Sequence, residues 1–509
     1  MNRTHRNTTS RILGSLTFGT ALLAAGVAQA APETAEQDAT ATLESKLGTV
    51  MGRPGGLTAD VVATRAEATS YDVVSKRQEL EAAAAQVDQA LVAYFPRLSG
   101  TARYTRLSPL DPPSLGYLTT AVDNTTMRPV GPGPIDLTNS TLVNVPFSFP
   151  ILLNQTILQA TLNVPLTDYI LRIPQGYAAA TKNEKAAQYA EGASRLKAAS
   201  DAKVVYYTWV RAKLQEVVAD QAFAQASAHL VDAKHAFDAG TISKADVLRV
   251  ESQLATSKLL IERAKSLAEV SETQIRVAMH DPSQNAYEVG EPMGSELPKL
   301  QGDTLPALWN EASTTRLEIK TLDQTSDALR EQAKVARAGN LPRLDAFGDI
   351  IYANPNQRVF PVQNRFVATW DVGVSLTYSP NDIALAGAQS KNLTAKAASV
   401  VAQRQQLEDG IRVEVTQARN SLREALAAVE STAQGLVAAE ESYRVRRSLF
   451  RNGRATAVEL TDAETDLTRS RLEAINARVD ARIAFVRLEH ALGRDVARLG
   501  SSTPAMTNK

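Results

Sequence analysis

Three carboxylates, Asp246, Glu459 and Asp462, stand at or just beyond the start of two helices in this 509-residue chain, and the chemistry open to them is electrostatic. Asp246 and Glu459 each follow a hydroxyl by three residues, Ser243-x-x-Asp246 and Thr456-x-x-Glu459. This is the capping-box pattern, in which hydroxyl and carboxylate satisfy orphan backbone donors at a helix start, and the helix dipole favours an acid there. Asp462 lies a further turn along, outside the cap, and its counterpart in a second copy of the pattern is Arg249. Bond-making chemistry finds no support. His229, His235, His280 and His490 are scattered, and the closest pair is six residues apart, a spacing that does not put two ligands on one helical face. There is no Gly-x-Ser-x-Gly elbow and no phosphate loop, and Gly131-Pro132-Gly133 sits in a proline-rich stretch that precedes no helix. We expect no enzyme, no cofactor and no metal.

These acids belong to a pattern written twice. Phe237-Asp238-Ala239-Gly240-Thr241-Ile242-Ser243 recurs as Phe450-Arg451-Asn452-Gly453-Arg454-Ala455-Thr456, glycine on glycine at an offset of 213. In each, a long proline-free helix meets a Gly suited to the left-handed cap, and a new helix starts three residues later. Upstream, Tyr94-Phe95-Pro96-Arg97-Leu98 matches Asn340-Leu341-Pro342-Arg343-Leu344 at an offset of 246, each a helix stopped by a proline that leads into an extended segment. The offset returns to 214 where Leu162-Asn163-Val164-Pro165-Leu166 matches Leu376-Thr377-Tyr378-Ser379-Pro380. The first copy therefore carries an enlarged connection between its extended segments, roughly 108–155, which reads as a surface loop rich in Pro, Gly, Asn and Thr.

Composition bounds the setting. Arg3, Arg6 and Arg11 precede an apolar run from about Ile12 to Val27 and the small-x-small triplet Ala28-Gln29-Ala30, the form of a secretory signal. The chain has 55 basic and 55 acidic residues, so removing the three arginines leaves a formal charge of 52 minus 55, or minus three, with no electrostatic pull on nucleic acid. There is no cysteine, hence no disulfide and no acylated N-terminal cysteine as a lipid anchor. No later apolar run approaches the ~18 residues of a spanning helix, so a membrane would have to be entered as a β-barrel.

The expected organisation is a signal peptide (1–30), a flexible lead-in (31–56), a first repeat (57–280), a linker (281–302), a second repeat (303–492) and a tail (493–509). Each repeat holds a helix, two strands and a long helical hairpin. Strands are expected at about 97–107 and 156–166, then 343–352 and 366–378, with tips at 240–243 and 453–456. The strands alternate. Leu158, Ala160, Leu162 and Val164 oppose Gln159, Thr161 and Asn163, while Trp370, Val372, Val374 and Leu376 oppose Thr369, Asp371 and Ser375. Tyr94, Phe95, Tyr352, Trp370 and Tyr378 near strand ends suit interfacial girdles. The ascending arms, about 65 residues each, would reach ~100 Å. After each tip a seven-residue period runs, Val247, Leu254, Ile261, Ala268, Ile275 and Leu460, Leu467, Ala474, Ala481, Leu488. Such a period supercoils paired helices. Nearly all-small rows accompany it, among them Ser257, Ala264 and Ser271, and Ala463, Ala477 and Ala484, suited to a close-packed wall of helices. Four strands cannot close a barrel, so the chain must self-associate. Two copies give eight strands and three give twelve, and only twelve could leave a passage.

The signal, the duplicated helix-strand-strand-hairpin unit, the Phe-Pro-Arg-Leu and Leu-Pro-Arg-Leu strand starts, the strand Trp370-Asp371-Val372-Gly373-Val374-Ser375-Leu376 and the two Gly tips together resemble the TolC family of outer-membrane efflux proteins. The resemblance covers nearly the whole mature chain. It implies a mainly α protein with a β part: long coiled-coil hairpins forming a periplasmic α-barrel, and four strands per protomer contributing to a trimeric, 12-stranded barrel in outer-membrane lipid. It further implies a homotrimer serving as exit duct of a tripartite efflux or type I secretion complex. The partners would be a periplasmic adaptor (membrane fusion) protein and an inner-membrane efflux or ABC transporter. By the same resemblance Asp246, Glu459 and Asp462 would constrict the periplasmic entrance, and Gly240, Thr241, Ile242, Ser243, Gly453, Arg454, Ala455 and Thr456 would dock the adaptor. The family's basic residue two positions after the second glycine is Ala455 here, with Arg454 one earlier, a departure at any gating ion pair. The competing reading is a periplasmic coiled-coil scaffold or adaptor that conducts nothing.

Overall fold

A computed structural model describes residues 52–109, 116–131, 134–136, 138–146, 151–294, 296–297 and 304–496. The expected signal peptide, nearly all of the lead-in, parts of the 108–155 stretch and of the linker, and most of the tail lie outside these residues. At its described end the lead-in is held rather than loose. Leu57 bridges Val289 of the linker, and Arg53 N–H donates to the Val289 carbonyl at 3.1 Å.

The elements come in two matching sets. The first is α1 (Ala59–Thr69), α2 (Tyr71–Val92), β1 (Arg97–Arg106), β2 (Tyr117–Asp123), β3 (Ser140–Pro146), β4 (Asn154–Val164), α3 (Asp168–Leu171), α4 (Ile173–Asp238) and α5 (Lys244–Met279). The second is α6 (Leu305–Thr315), α7 (Leu317–Arg337), β5 (Arg343–Asn354), β6 (Val367–Thr377), α8 (Pro380–Arg451) and α9 (Ala457–Leu492). Helices α4 and α8, of 66 and 72 residues, are rods of ~100 Å. Each of α5 and α9 has 36 residues and covers only the tip-side half of its rod. Helices α2 and α7 pack along the other half. The resulting wall runs α5, α4, α9, α8 near the tips and α2, α4, α7, α8 near the sheet.

Each lead helix, read as one element, is split in the structure. The break falls at Ser70 (ψ 129°) and at Arg316 (ψ 125°), positions 246 apart. Tertiary bonds fix it. The Thr69 hydroxyl donates to the Met279 carbonyl at 3.1 Å, and that of Thr315 to the Leu492 carbonyl at 2.6 Å, so each break is tied to the end of its own repeat's last helix. There the chain turns through left-handed residues, His280 (φ 49°) and Gly493 (φ 70°).

The cores repeat by the same arithmetic. Val62, Ala66, Trp209, Ile275 and Met279 sit in one cluster, and Leu308, Ala312, Leu422, Leu488 and Leu492 occupy the matching places in the other. Burying the larger of these side chains is worth ~1.5–3 kcal/mol each, and the lead helices supply the cover that closes these cores along otherwise thin rods. Of the small rows, Ser257, Ala264 and Ser271 are buried, as are Ala463, Ala477 and Ala484.

Four strands form one antiparallel sheet in the order β1-β4-β5-β6. Its register puts Leu98, Leu162 and Gly348 in line on one face, followed by Val372, and Ser99, Thr161, Asp349 and Asp371 in line on the other. Within the 108–155 stretch, expected as loop, the described residues include a further ribbon, β2 paired with β3 from Tyr117↔Pro146 to Asp123↔Ser140. Its bend is an Asx turn, with the Asp123 carboxylate accepting from Thr125 and Thr126 N–H at 2.7 and 2.8 Å.

Candidate functional site at the hairpin tips

Both tips are built from the same local chemistry. Gly240 (φ 73°) and Gly453 (φ 68°) take the left-handed conformation that a side chain would strain, which lets each rod end and turn within a few residues. Ser243 and Thr456 then open the descending helices with complete capping boxes. Ser243 N–H and Oγ–H reach one Asp246 carboxylate oxygen at 3.0 and 2.7 Å, while Asp246 N–H returns to Ser243 Oγ at 3.3 Å. Thr456 N–H reaches Glu459 at 3.0 Å and Glu459 N–H returns to Thr456 Oγ1 at 3.3 Å.

The Ser243 hydroxyl, followed by its backbone N–H, holds the Asp246 carboxyl below the ordinary carboxylate range. The Thr456 backbone N–H and then the Arg446 guanidinium do the same for Glu459. Both acids are thus ionised at neutral pH and already engaged. Glu459 is engaged most, since Arg446 of α8 donates to its second oxygen at 2.6 Å. Asp462 is exposed and makes no ion pair among the described residues. Of the tip residues, Gly240, Thr241, Ser243, Gly453, Arg454 and Thr456 are exposed, whereas Ile242 and Ala455 are half-buried.

The two tips are joined. Ile242 packs in an apolar cluster with Leu230, Ala233, Val250, Phe450 and Ala457, drawn from both hairpins. Arg451 of α8 pairs with Asp232 of α4 at 3.7 Å. Deeper, a buried polar chain crosses from one hairpin to the other. His229 of α4 lies 2.9 Å from the Glu464 carboxylate of α9 through Nδ1, and 3.0 Å from the Tyr443 hydroxyl of α8 through Nε2. Sequence reasoning weighed His229 only for metal-ligand spacing and overlooked Arg446, Tyr443 and Glu464. One signal existed: His229 precedes Gly240 by 11 residues, Glu464 follows Gly453 by 11 and Tyr443 precedes it by 10, so all three lie at one depth from the tips.

Doubled rods, one four-stranded sheet and Gly-turned tips define a class, and comparison with solved structures gives it. The chain has the fold of bacterial outer-membrane channels. It superposes on the channel OprN with a TM-score of 0.67 at 17% identity, covering 86% of this chain and 89% of that one. For CmeC of Campylobacter jejuni the TM-score is 0.66 at 15% identity, with 90% and 94% covered. For MtrE of Neisseria gonorrhoeae, in its open state, it is 0.64 at 14% identity, with 86% and 88% covered. No curated protein matches the sequence significantly. Residues 308–494 match the family model described as outer membrane efflux protein. The chain thus has the fold of these channels, and most of its second repeat matches the outer membrane efflux protein model.

Proposed function

We propose that three copies of this chain form an outer-membrane duct that exports solutes delivered from the periplasm or directly by an inner-membrane transporter. The observation that carries this reading is the sheet's two-sidedness across all four strands. The row of Leu98, Leu162, Gly348 and Val372, with Trp370, Val374 and Leu376, is apolar and exposed for its large members, with Trp370, Val372 and Leu376 each about 70% exposed. The opposite row is polar and, on β4, β5 and β6, partly shielded, as a sheet curled around its polar side would be. An apolar exterior with a polar interior is the arrangement of a barrel in lipid around a water-filled lumen. Among the described residues no helix is long and apolar enough to cross a membrane.

Closure by copies of the chain is supported by the edges. Strands β1 and β6 each have one unpaired side, and unpaired strand edges do not face hydrocarbon. The helical wall likewise ends at α5 and α8, where Leu248, Leu259 and Val270 on one helix and Val413 and Val437 on the other are exposed. Twelve strands leave a passage that eight do not. The exposed turn residues offer backbone and hydroxyl groups to a periplasmic adaptor at the rod ends, beneath an inner-membrane transporter.

The test is fractionation and conductance of the full chain. A duct remains with outer membranes, migrates as a heat-sensitive trimer and conducts in planar bilayers. Release as a soluble monomer by osmotic shock would instead select the scaffold reading. Neutralising Asp246, Glu459 and Asp462 together should reduce cation preference in the same recordings, with Asp462 contributing most because its charge is unpaired.

A further inference from the structure

We infer that Arg358 sets part of the ion selectivity of the duct, because the loop that carries it folds back onto the polar face of the sheet and not away from it. The inference deepens the duct reading and rests on it, since that reading makes the polar face the lumen wall.

The loop runs over 355–366 between β5 and β6, and two of its side chains fix its course. Asn356 is 2% exposed. Its Nδ2 donates to the Val367 carbonyl and to Thr369 Oγ1, both at 3.0 Å, and its Oδ1 accepts from Arg358 N–H at 2.9 Å. The Arg358 guanidinium then pairs with the Asp371 carboxylate. Thr369 and Asp371 alternate with Ala368, Trp370 and Val372 along β6, so both side-chain acceptors stand on the polar face. A buried amide engaged at both its oxygen and its nitrogen is costly to release, and here it delivers a cation to one side of the sheet.

What the cation meets there is a pair of like charges. Asp349 of β5 stands directly opposite Asp371 of β6, an arrangement in which carboxylates repel. The two are relieved differently. Asp349 accepts from Gln159 Nε2 at 3.0 Å and from the Thr161 hydroxyl, all within the sheet. Asp371 has Arg358 as its one ion-pair partner among the described residues. Other charges share this face. On β1, Arg97 and Arg103 lie two and four residues from Ser99, which is in line with the two acids, and on β5 Asp345 is taken by Arg343 at 3.0 Å. Arg358 and Asp371 are 41% and 38% exposed, so their pairing adds little to stability. Its consequence is the field in the lumen. Rings of charged side chains decide which ions a pore prefers, and loss of Arg358 subtracts one positive charge from every copy around the axis.

The experiment measures reversal potentials of the full-length protein in planar bilayers across a potassium chloride gradient near 0.1 M, where the screening length is about 10 Å. Arg358→Gln should raise the cation-to-anion permeability ratio about twofold or more, and Arg358→Lys should keep it near the wild-type value. Asn356→Ala alters no charge, yet it should shift the ratio the same way as Arg358→Gln, because the guanidinium is no longer held over the lumen wall. Each variant is first checked as a heat-sensitive trimer, and if Asn356→Ala fails to assemble, the two Arg358 variants decide. Wild-type selectivity in Arg358→Gln or in an assembled Asn356→Ala overturns the inference and leaves the duct reading standing. A wild type that does not conduct defeats the duct reading, and this inference falls with it.

Discussion

At the residue scale, the tip acids are structural before they are electrostatic. A carboxyl held below its ordinary range stabilises the folded state above the unfolded pKa, and that contribution is lost as pH falls through the lowered folded value. Asp246 and Glu459 should therefore hold the tips at neutral pH and release them in strong acid, below about pH 4. Amide-exchange protection over 243–246 should fall there, and Asp246→Asn should flatten the dependence. Gly493 offers a sharper case. Its φ is 70° and a Cβ would stand 2.8 Å from the Thr315 hydroxyl that already bonds the Leu492 carbonyl. Gly493→Ala should cost ~1–3 kcal/mol through strain and this clash together, read as a lowered denaturation midpoint. The capping boxes were legible in the sequence because each is contained within four residues. The buried His229 chain was not, since His229 stands 214 and 235 residues from its two partners and only packing brings them together.

At the scale of elements, periodicity revealed the hairpins, whose partners are neighbours in sequence. It did not reveal the broken lead helices. No Gly or Pro stands at Ser70 or Arg316, and the break is imposed by Thr69 and Thr315 bonding carbonyls 210 and 177 residues away. The ribbon β2–β3 was concealed for a different reason. Its Thr- and Val-rich segments are short and lie among Pro and Gly, so composition outweighed a visible alternation. The small rows separate two outcomes that the sequence treats alike. Ala264 packs in a closed cluster with Ala219 and Ile261. Ala477 borders a cavity of about 510 Å³ between α4, α8 and α9. Ala264→Leu should overpack the wall at ~1–3 kcal/mol and impair trimer recovery, whereas Ala477→Leu should fill space and be nearly neutral. Equal losses would mean that the cavity is not available in the assembled wall.

At the scale of the whole molecule, the chain is an open arc with two free edges in the sheet and two in the wall. Because it lacks cysteine, introduced thiols report on closure cleanly. Ala102→Cys in β1 combined with Val372→Cys in β6, both on the apolar face, should yield a covalent ladder ending at three chains on oxidation. Monomer alone, across a scan of neighbouring positions, would disprove edge-to-edge closure. Duplication was legible from residue types, and so were the four strands of the main sheet. The number of copies was not, because nothing in one chain fixes curvature. One pair of contacts bears on how such a doubled chain avoids confusing its own halves. Arg65 of α1 pairs with Asp281 at 3.3 Å, and at the matching positions Glu311 of α6 pairs with Arg494 at 2.7 Å, the charges reversed. If a nascent chain docked one half's leading segment onto the other half's end, or onto a sister molecule's, arginine would meet arginine and glutamate would meet aspartate. The reversal therefore disfavours exchange of the two related modules, by on the order of 0–1 kcal/mol for each partly exposed pair.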